Sequence, residues 1–375
     1  MKKLAMMIAA AGLSVSIANT ALAVIDLDHL AWSVQYMIDT SQSDFAQPQS
    51  SDPRDNRGLA MDPTGQYLYA GYNQQYVRRI DLALSDYIDA ADAQLTGVRG
   101  KDIAVDDIGR VYLAEGTSIE VYDAELFTHL FSLTGLTKTE GVAVTRESGQ
   151  LVLYSADRDE GNLKKWLLAE SGAAISAAVL DLSFGVGGSV SVPDDSRCVE
   201  VDGAGRAWVA SKENDTLYRV APDGSTLDSI FVGTPLDVDF DGNTVLVTRC
   251  EARSIARFDA DTMLSLGADL VVPWIDLQVD PDGQDGNGSL SGIVVVPDVG
   301  FYVANESGQT ADARSTYGRI DAESGSAGGK FYTDLTHDDN DPILFAVAEP
   351  SALVLLGIAA VTLLACTRRR RTQTA

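Results

Sequence analysis

The sequence predicts an all-β fold, a β-propeller of six blades, on three observations. Six stretches repeat one pattern, an apolar alternating strand, a polar turn carrying Gly, and a second alternating strand ending in a small residue. Each is followed by a third strand with a recurring tag, and no long amphipathic helix interrupts the series. Units of about 40 to 50 residues with several strands each are how propeller blades read in sequence.

The six hairpins are GLAMDPTGQYLYAGY from Gly58, DIAVDDIGRVYLAEG from Asp102, GVAVTRESGQLVLYSAD from Gly141, CVEVDGAGRAWVASK from Cys198, PLDVDFDGNTVLVTRC from Pro235 and GIVVVPDVGFYVANE from Gly292. Their third strands are VRRIDL (77–82), IEVYDA (119–124), LKKWLL (163–168), LYRVAP (217–222), IARFDA (255–260) and YGRIDA (317–322). The position of Asp62 recurs at 106, 145, 202, 239 and 296. At such turns Asp accepts local backbone N–H bonds and Gly takes positive φ. One small antiparallel sheet cannot bury both faces, whereas sheets stacked radially cover one another and leave short edges. Leu59, Met61, Leu68 and Ala70 are therefore expected between blades. Strand-like material at 177–185 and 268–279 leaves room for a seventh blade. The stretch 24–38 is expected to supply an outer strand that closes the ring with 328–335.

Both ends stand apart from this domain, which is placed at residues 24–345. Residues 1–23 have a basic start (Lys2, Lys3), an apolar run from Leu4 to Ile17 and the ending Ala21-Leu22-Ala23, the layout of a cleaved secretory signal read by Sec-type export machinery. Residues 346–375 carry Glu349 and Pro350, a mostly apolar run from Ser351 to Cys366, and the arginines Arg368, Arg369, Arg370 and Arg371. An apolar run followed by arginines stops translocation and holds the C-terminus on the cytoplasmic side. Glu-Pro is then parked at the outer membrane face, where a protease can reach it. A permanent single-pass anchor is the alternative.

These parts resemble two known patterns. The repeats look like those of NHL-type six-bladed propellers over residues 57 to 335. The C-terminus resembles the PEP-CTERM sorting signal recognised by exosortases of Gram-negative bacteria that make exopolysaccharide. Glu349, Pro350 and the four arginines match that signal, and Ala348 stands where a first proline is usual. The resemblance implies a membrane-inserted precursor, processing by an exosortase-like enzyme, and release to the cell surface, outer envelope or extracellular matrix.

Charge narrows the partners. The chain has 54 acidic and 28 basic residues. Setting aside Lys2, Lys3 and the four tail arginines leaves 22 basic residues between the ends. So acidic a surface repels nucleic acid and anionic lipid and favours divalent cations and basic partners.

Chemistry is sparse. His29, His129 and His337 have no metal-ligand spacing, and the commonest hydrolase and zinc signatures are absent. Propellers that act as enzymes use the starts of their innermost strands, here Arg57, Lys101 with Asp102, Glu140, Arg197, Thr234 and Ser291. Arg57, Lys101, Asp102, Glu140 and Arg197 form the candidate channel mouth, read as a salt-bridged plug, an anion-binding mouth or, least, a metal site. The loop DPDGQDGNG offers Asp280, Asp282, Asp285 and Asn287 as oxygen ligands for Ca2+, although it departs from an EF-hand at the fifth, sixth and twelfth positions. No other cofactor is expected. Cys198 and Cys250 are expected on one face of adjacent blades, where an exported compartment permits a disulfide; two isolated buried thiols are the alternative.

The expectation is therefore an exported binding or interaction module that holds exopolysaccharide, an envelope protein or a cation. The alternative is a channel-centred hydrolase or lactonase with an oxygen-coordinated metal.

Overall fold

The structure, a computed structural model, describes residues 32–38, 58–72, 76–81, 94–271 (127, 194 and 253 apart), 289–296, 300–306, 316–322 and 343–348. The signal and tail, His29, His337, Arg57, the stretch 328–335, Asp280, Asp282, Asp285, Asn287, Glu349, Pro350 and Arg368 to Arg371 lie outside the described residues. Every regular element among the described residues is a strand, and no helix there is long and apolar enough to cross a membrane.

After β1 (Trp32–Ile38), the first sheet is β2 (Leu59–Met61), β3 (Tyr67–Tyr72), β4 (Tyr76–Asp81) and β5 (Gln94–Thr96). The second holds β6 (Ile103–Val105), β7 (Val111–Ala114), β8 (Gly116–Tyr122) and the first half of β9 (His129–Glu147). The second half of β9 begins the third sheet, with β10 (Gln150–Asp157), β11 (Asn162–Ser171) and β12 (Ala174–Leu180); the short β13 (Ser189–Ser191) also pairs with β11. One continuous strand thus joins two neighbouring four-stranded layers. The fourth sheet is β14 (Ser196–Val201), β15 (Ala207–Ser211), β16 (Thr216–Val220) and β17 (Leu227–Phe231). The fifth is β18 (Pro235–Asp241), β19 (Thr244–Arg249), β20 (Ser254–Asp259) and β21 (Leu270–Val271). The last holds β22 (Ser289–Val296), β23 (Gly300–Glu306), β24 (Thr316–Ala322), β25 (Ile343–Ala348) and β1.

The protein is all-β, and its sheets are built from the predicted hairpins and third strands, antiparallel and in sequence order except in the last, where β25 lies between β23 and β24 and runs parallel to β24. The fourth strands were not foreseen as such. Part of the stretch offered for a seventh blade, 177–180, is the outer strand β12, and Leu270 and Val271 form β21. The N-terminal strand does join the last sheet, where β1 pairs with β24 and β25. β25 ends at Ala348, three residues beyond the boundary read from the sequence.

First strands contact one another in succession: β2 with β6, β6 with β9, β9 with β14, β14 with β18, β18 with β22, and β22 with β2. The series closes on itself. Apolar clusters fill the seams between sheets. Tyr69 and Val77 meet Ile103 and Leu113. Tyr112 and Ile119 meet Leu151 and Leu153. Tyr154 and Leu163 meet Val199 and Val209, and Trp208 and Leu217 meet Val238 and Val247. Burial of this kind contributes roughly 25 cal/mol per Å² of apolar surface, which is why stacking rather than any one sheet stabilises the fold.

The turn aspartates act as predicted and do more. Asp106 accepts the N–H groups of Ile108 and Arg110, the Arg110 Nε–H at 2.5 Å and the Tyr112 hydroxyl at 2.9 Å. Asp202 repeats this with Ala204, Arg206 and the Trp208 indole. The same arginines reach the following sheet, Arg110 to Glu170 and Arg206 to Asp261. In the fifth repeat the turn belongs to Asp241, which pairs with Thr244 across Gly242 and Asn243, so Asp239 lies two residues inside the strand.

Close approach of first strands is set at Gly141. A Cβ there would lie 2.8 Å from the Cys198 carbonyl carbon and 2.9 Å from the Val199 nitrogen, both backbone atoms. Gly141→Ala is expected to force β9 and β14 apart at a cost of about 1–3 kcal/mol, read as a lower denaturation midpoint. An unchanged midpoint would show that this packing is looser than described.

Candidate functional site: two side-chain clusters on the first strands

The first cluster gathers where the first strands begin. Glu140, in β9, has a fully buried carboxylate that accepts Lys101 Nζ at 2.8 Å, Arg197 Nη1 at 2.9 Å and Arg158 Nη1 at 3.2 Å. Asp195, just before β14, lies 2.5 Å from Arg197 Nη2 and 2.6 Å from Arg158 Nε. Lys101, Glu140 and Arg197 thus come together as expected. Arg158 and Asp195 complete the group. They follow β10 and precede β14, on connections where strand periodicity carries no signal. The basic side chains are engaged with protein carboxylates.

Asp102 departs from that group. It is buried at the start of β6, and its two oxygens accept the N–H groups of Ile103 at 3.0 Å and Val142 at 2.8 Å. It is thereby turned toward the third sheet and away from the basic residues. An Asp102 oxygen, Cys198 Sγ and an Asp237 oxygen lie within 4.8 Å of one another, all three residues buried. Asp237, in β18, accepts Val238 N–H at 2.9 Å and Ile293 N–H, from β22, at 2.7 Å. The Cys198 thiol donates to Asp237. Two residues further along the same strands stand Glu200 and Asp239, both part-buried. Asp239 accepts Phe240 N–H at 2.7 Å and Val295 N–H, also from β22, at 2.5 Å.

These three side chains occupy one repeat position. Asp102, Cys198 and Asp237 each stand four residues before a turn aspartate, Asp106, Asp202 and Asp241. Equivalent positions on a closed series of strands lie at one level, so they meet. Registering the fifth repeat on Asp239 conceals that equivalence.

Burial dominates the electrostatics. It raises Asp237 to about 6, against the lowering effect of the Cys198 thiol and the two N–H bonds. It raises Asp239 to about 7, with Asp237 and Asp241 adding repulsion. Asp102 is pushed well above the carboxylate range by burial and then by Asp237, and Glu200 by burial and then by Asp239 and Asp102. Burial and the same aspartates hold the Cys198 thiol far above its ordinary range. A thiolate is the form that binds metal. Here the thiol keeps its proton and hydrogen-bonds to Asp237 through it, and every oxygen of Asp102 and Asp237 already accepts a backbone N–H. The group is satisfied by the protein itself.

Cys198 and Cys250 are both buried and both free, which corrects the expected disulfide. Cys198 is the third residue of β14 with its thiol on Asp237, whereas Cys250 lies beyond the end of β19, its N–H bonded to the Thr234 carbonyl. The two thiols therefore sit at different depths along their sheets. His129 is exposed and bonded to Glu120 at 2.8 Å.

No family model and no curated protein matches this chain. Among solved structures it is similar to a protein of unknown function from Bacteroides caccae, with a TM-score of 0.47 at 12% identity, covering 63% of this chain and 81% of that one. It is also similar to the RRP9 WD40 repeats, with a TM-score of 0.46 at 14% identity over 68% of this chain and 74% of that one. Kuenenia stuttgartiensis hydrazine synthase gives 0.46 at 16% identity, over 69% and 76%.

Proposed function

We infer that the chain is a six-bladed β-propeller serving as a binding module of the bacterial envelope or extracellular matrix, exported by residues 1–23 and sorted through residues 346–375 by an exosortase-like enzyme. One observation carries the binding reading over the hydrolase reading: the acidic side chains Glu140, Asp102 and Asp237 of the first strands are already engaged within the protein. Glu140 is held by three cations, and Asp102 and Asp237 by backbone N–H groups. A channel-centred lactonase needs convergent oxygen ligands free to take a metal and a substrate. Binding then falls to the outer faces and loops. Their acidity suits a basic envelope protein, or a polysaccharide bridged by Ca2+, for which Asp280, Asp282, Asp285 and Asn287 are the proposed ligands.

The test is made on protein recovered from the surface of the producing cells. Retention on exopolysaccharide isolated from those cells, strengthened by Ca2+, without turnover of a lactone and aryl-ester panel, is the expected result. Metal-dependent turnover abolished by Asp102→Asn or Asp237→Asn would overturn it in favour of the hydrolase. The C-terminal peptide of the same sample is expected to end near residue 350. A peptide carrying Arg368 to Arg371 would make the tail a permanent anchor.

A further inference from the structure

On the reading of the chain as a binding module, on which the inference rests, we propose that the outer edge of β17 is a docking site. With the apolar groove beside it, this edge takes an extended, basic and apolar segment of a partner protein as an added strand. Of the seven large apolar side chains exposed among the described residues, five belong to one seam: Val179, Leu182, Val186, Leu227 and Phe231. Register puts them there. Tyr218 and Val220 of β16 lie in the core shared with the third sheet, and Ser229 and Leu227 stand directly opposite them on β17. Opposed residues share a face, and so do residues two apart, which adds Phe231. From the third sheet, Leu167 packs on the same core and Val179 stands opposite it on β12. The connection 181–188 lies between, with Phe184 buried in that core and the Gly185 N–H donated to the Asp223 carbonyl. Radial sheets diverge outward. Here the outer gap stays open, with Phe231 73% and Val186 88% exposed.

The edge itself is unpaired. β17 ends the fourth sheet, and no strand among the described residues pairs beyond it. The Ala221 N–H bonds to the Thr226 carbonyl, and the Val232 N–H to the Asp215 carbonyl. Antiparallel ladders alternate, so residues 226, 228, 230 and 232 bond inward, and the N–H and C=O groups of Leu227, Ser229 and Phe231 point outward. An added strand takes those bonds and lays alternate side chains beside Leu227 and Phe231. Its intervening side chains turn to the face that carries Asp228. β5 and β21, of three and two residues, offer shorter edges. Charge selects the occupant. From 212 to 231 the fourth sheet carries Glu213, Asp215, Asp223 and Asp228 against Lys212 and Arg219. Arg219 is engaged with Asp228 and with the carbonyls of Ala260 and Asp261. Such a rim favours basic residues. It disfavours a second copy of this chain, whose 54 acidic residues outnumber 28 basic ones.

The probe is a fluorescent octapeptide alternating lysine and valine, titrated into the full chain and read by anisotropy. Binding is expected, weakened by added salt, and about tenfold or more weaker when glutamate replaces lysine in the peptide. Phe231→Ser, at an exposed side chain, should weaken it about tenfold or more. Ser229→Pro removes an outward N–H, which edge strands tolerate, and should abolish binding at an unchanged urea midpoint. Should that variant fail to fold, Phe231→Ser decides alone. Binding that no foldable variant alters is attraction by charge only and overturns the docking edge. So does self-association relieved by Ser229→Pro, which gives the edge to a second copy. So does attachment to neutral phosphatidylcholine vesicles that Phe231→Ser abolishes, which gives the groove to a membrane. Exopolysaccharide retention and ester turnover are measured on the same samples. Retention without peptide binding overturns the docking edge and leaves the binding module standing, whereas metal-dependent turnover overturns the module itself.

Discussion

Glu140→Ala is expected to lower the stability of the folded chain by about 3–5 kcal/mol, because it removes the shared partner of three buried or part-buried cations. Lys101, Arg158 and Arg197 converge on that carboxylate, which has no exposed surface. Asp195 still offers a partner to the two arginines after the substitution. Lys101 loses the carboxylate at 2.8 Å and keeps a side chain only 10% exposed. Raising the salt concentration should restore little, since buried pairs are weakly screened. Glu140→Gln keeps an acceptor and should cost less than the alanine. Urea denaturation monitored by tryptophan fluorescence gives both midpoints. An alanine variant as stable as the wild type would mean that these cations are solvated, and that the cluster is an open mouth available to an anion.

Trp208→Ala is the second large loss, about 3–5 kcal/mol for a fully buried aromatic. The indole packs edge-on against Phe240 with ring centroids 6.1 Å apart, and the Arg219 guanidinium lies 5.7 Å over its ring. Its N–H donates to Asp202 at 2.9 Å, so one side chain links the seam between the fourth and fifth sheets to the turn of its own hairpin. Trp208→Phe keeps most of the packing and drops the hydrogen bond, and is expected to cost roughly 1–2 kcal/mol. Calorimetry should show a fall in the melting temperature of about 10 °C for alanine, on the usual scale of 2–4 °C per kcal/mol for a domain of this size. A fall under 2 °C would place the indole at the surface rather than in the seam.

The strands were legible because alternation is a local property. Tyr67 to Tyr72 or Val111 to Ala114 alternate residues between two faces, and the Gly-bearing turns before them allow only a hairpin. The turn aspartates were legible for the same reason, since Asp62, Asp106 and Asp202 bond to N–H groups two to five residues away. From the sequence alone, then, follow the all-β class, the hairpins, their order and the identity of most turn residues.

Tertiary structure decided the rest, because it depends on residues far apart in the chain. The outer strand β17 pairs with β16 although its pattern alternates weakly, and β9 serves two sheets at once, which no local window reveals. Lys101, Glu140 and Arg197 could be set at the starts of the innermost strands from the sequence, but Arg158 could not, and only the approach of β6, β9 and β14 makes the four one buried cluster. The same approach turned Asp102 away from that cluster and set Cys198 on Asp237 rather than on Cys250. Local preference sets which way a side chain leaves its strand. What it meets there is set by the neighbouring sheet, and with it whether a carboxyl group is a solvated ion or a buried acid that titrates near neutrality.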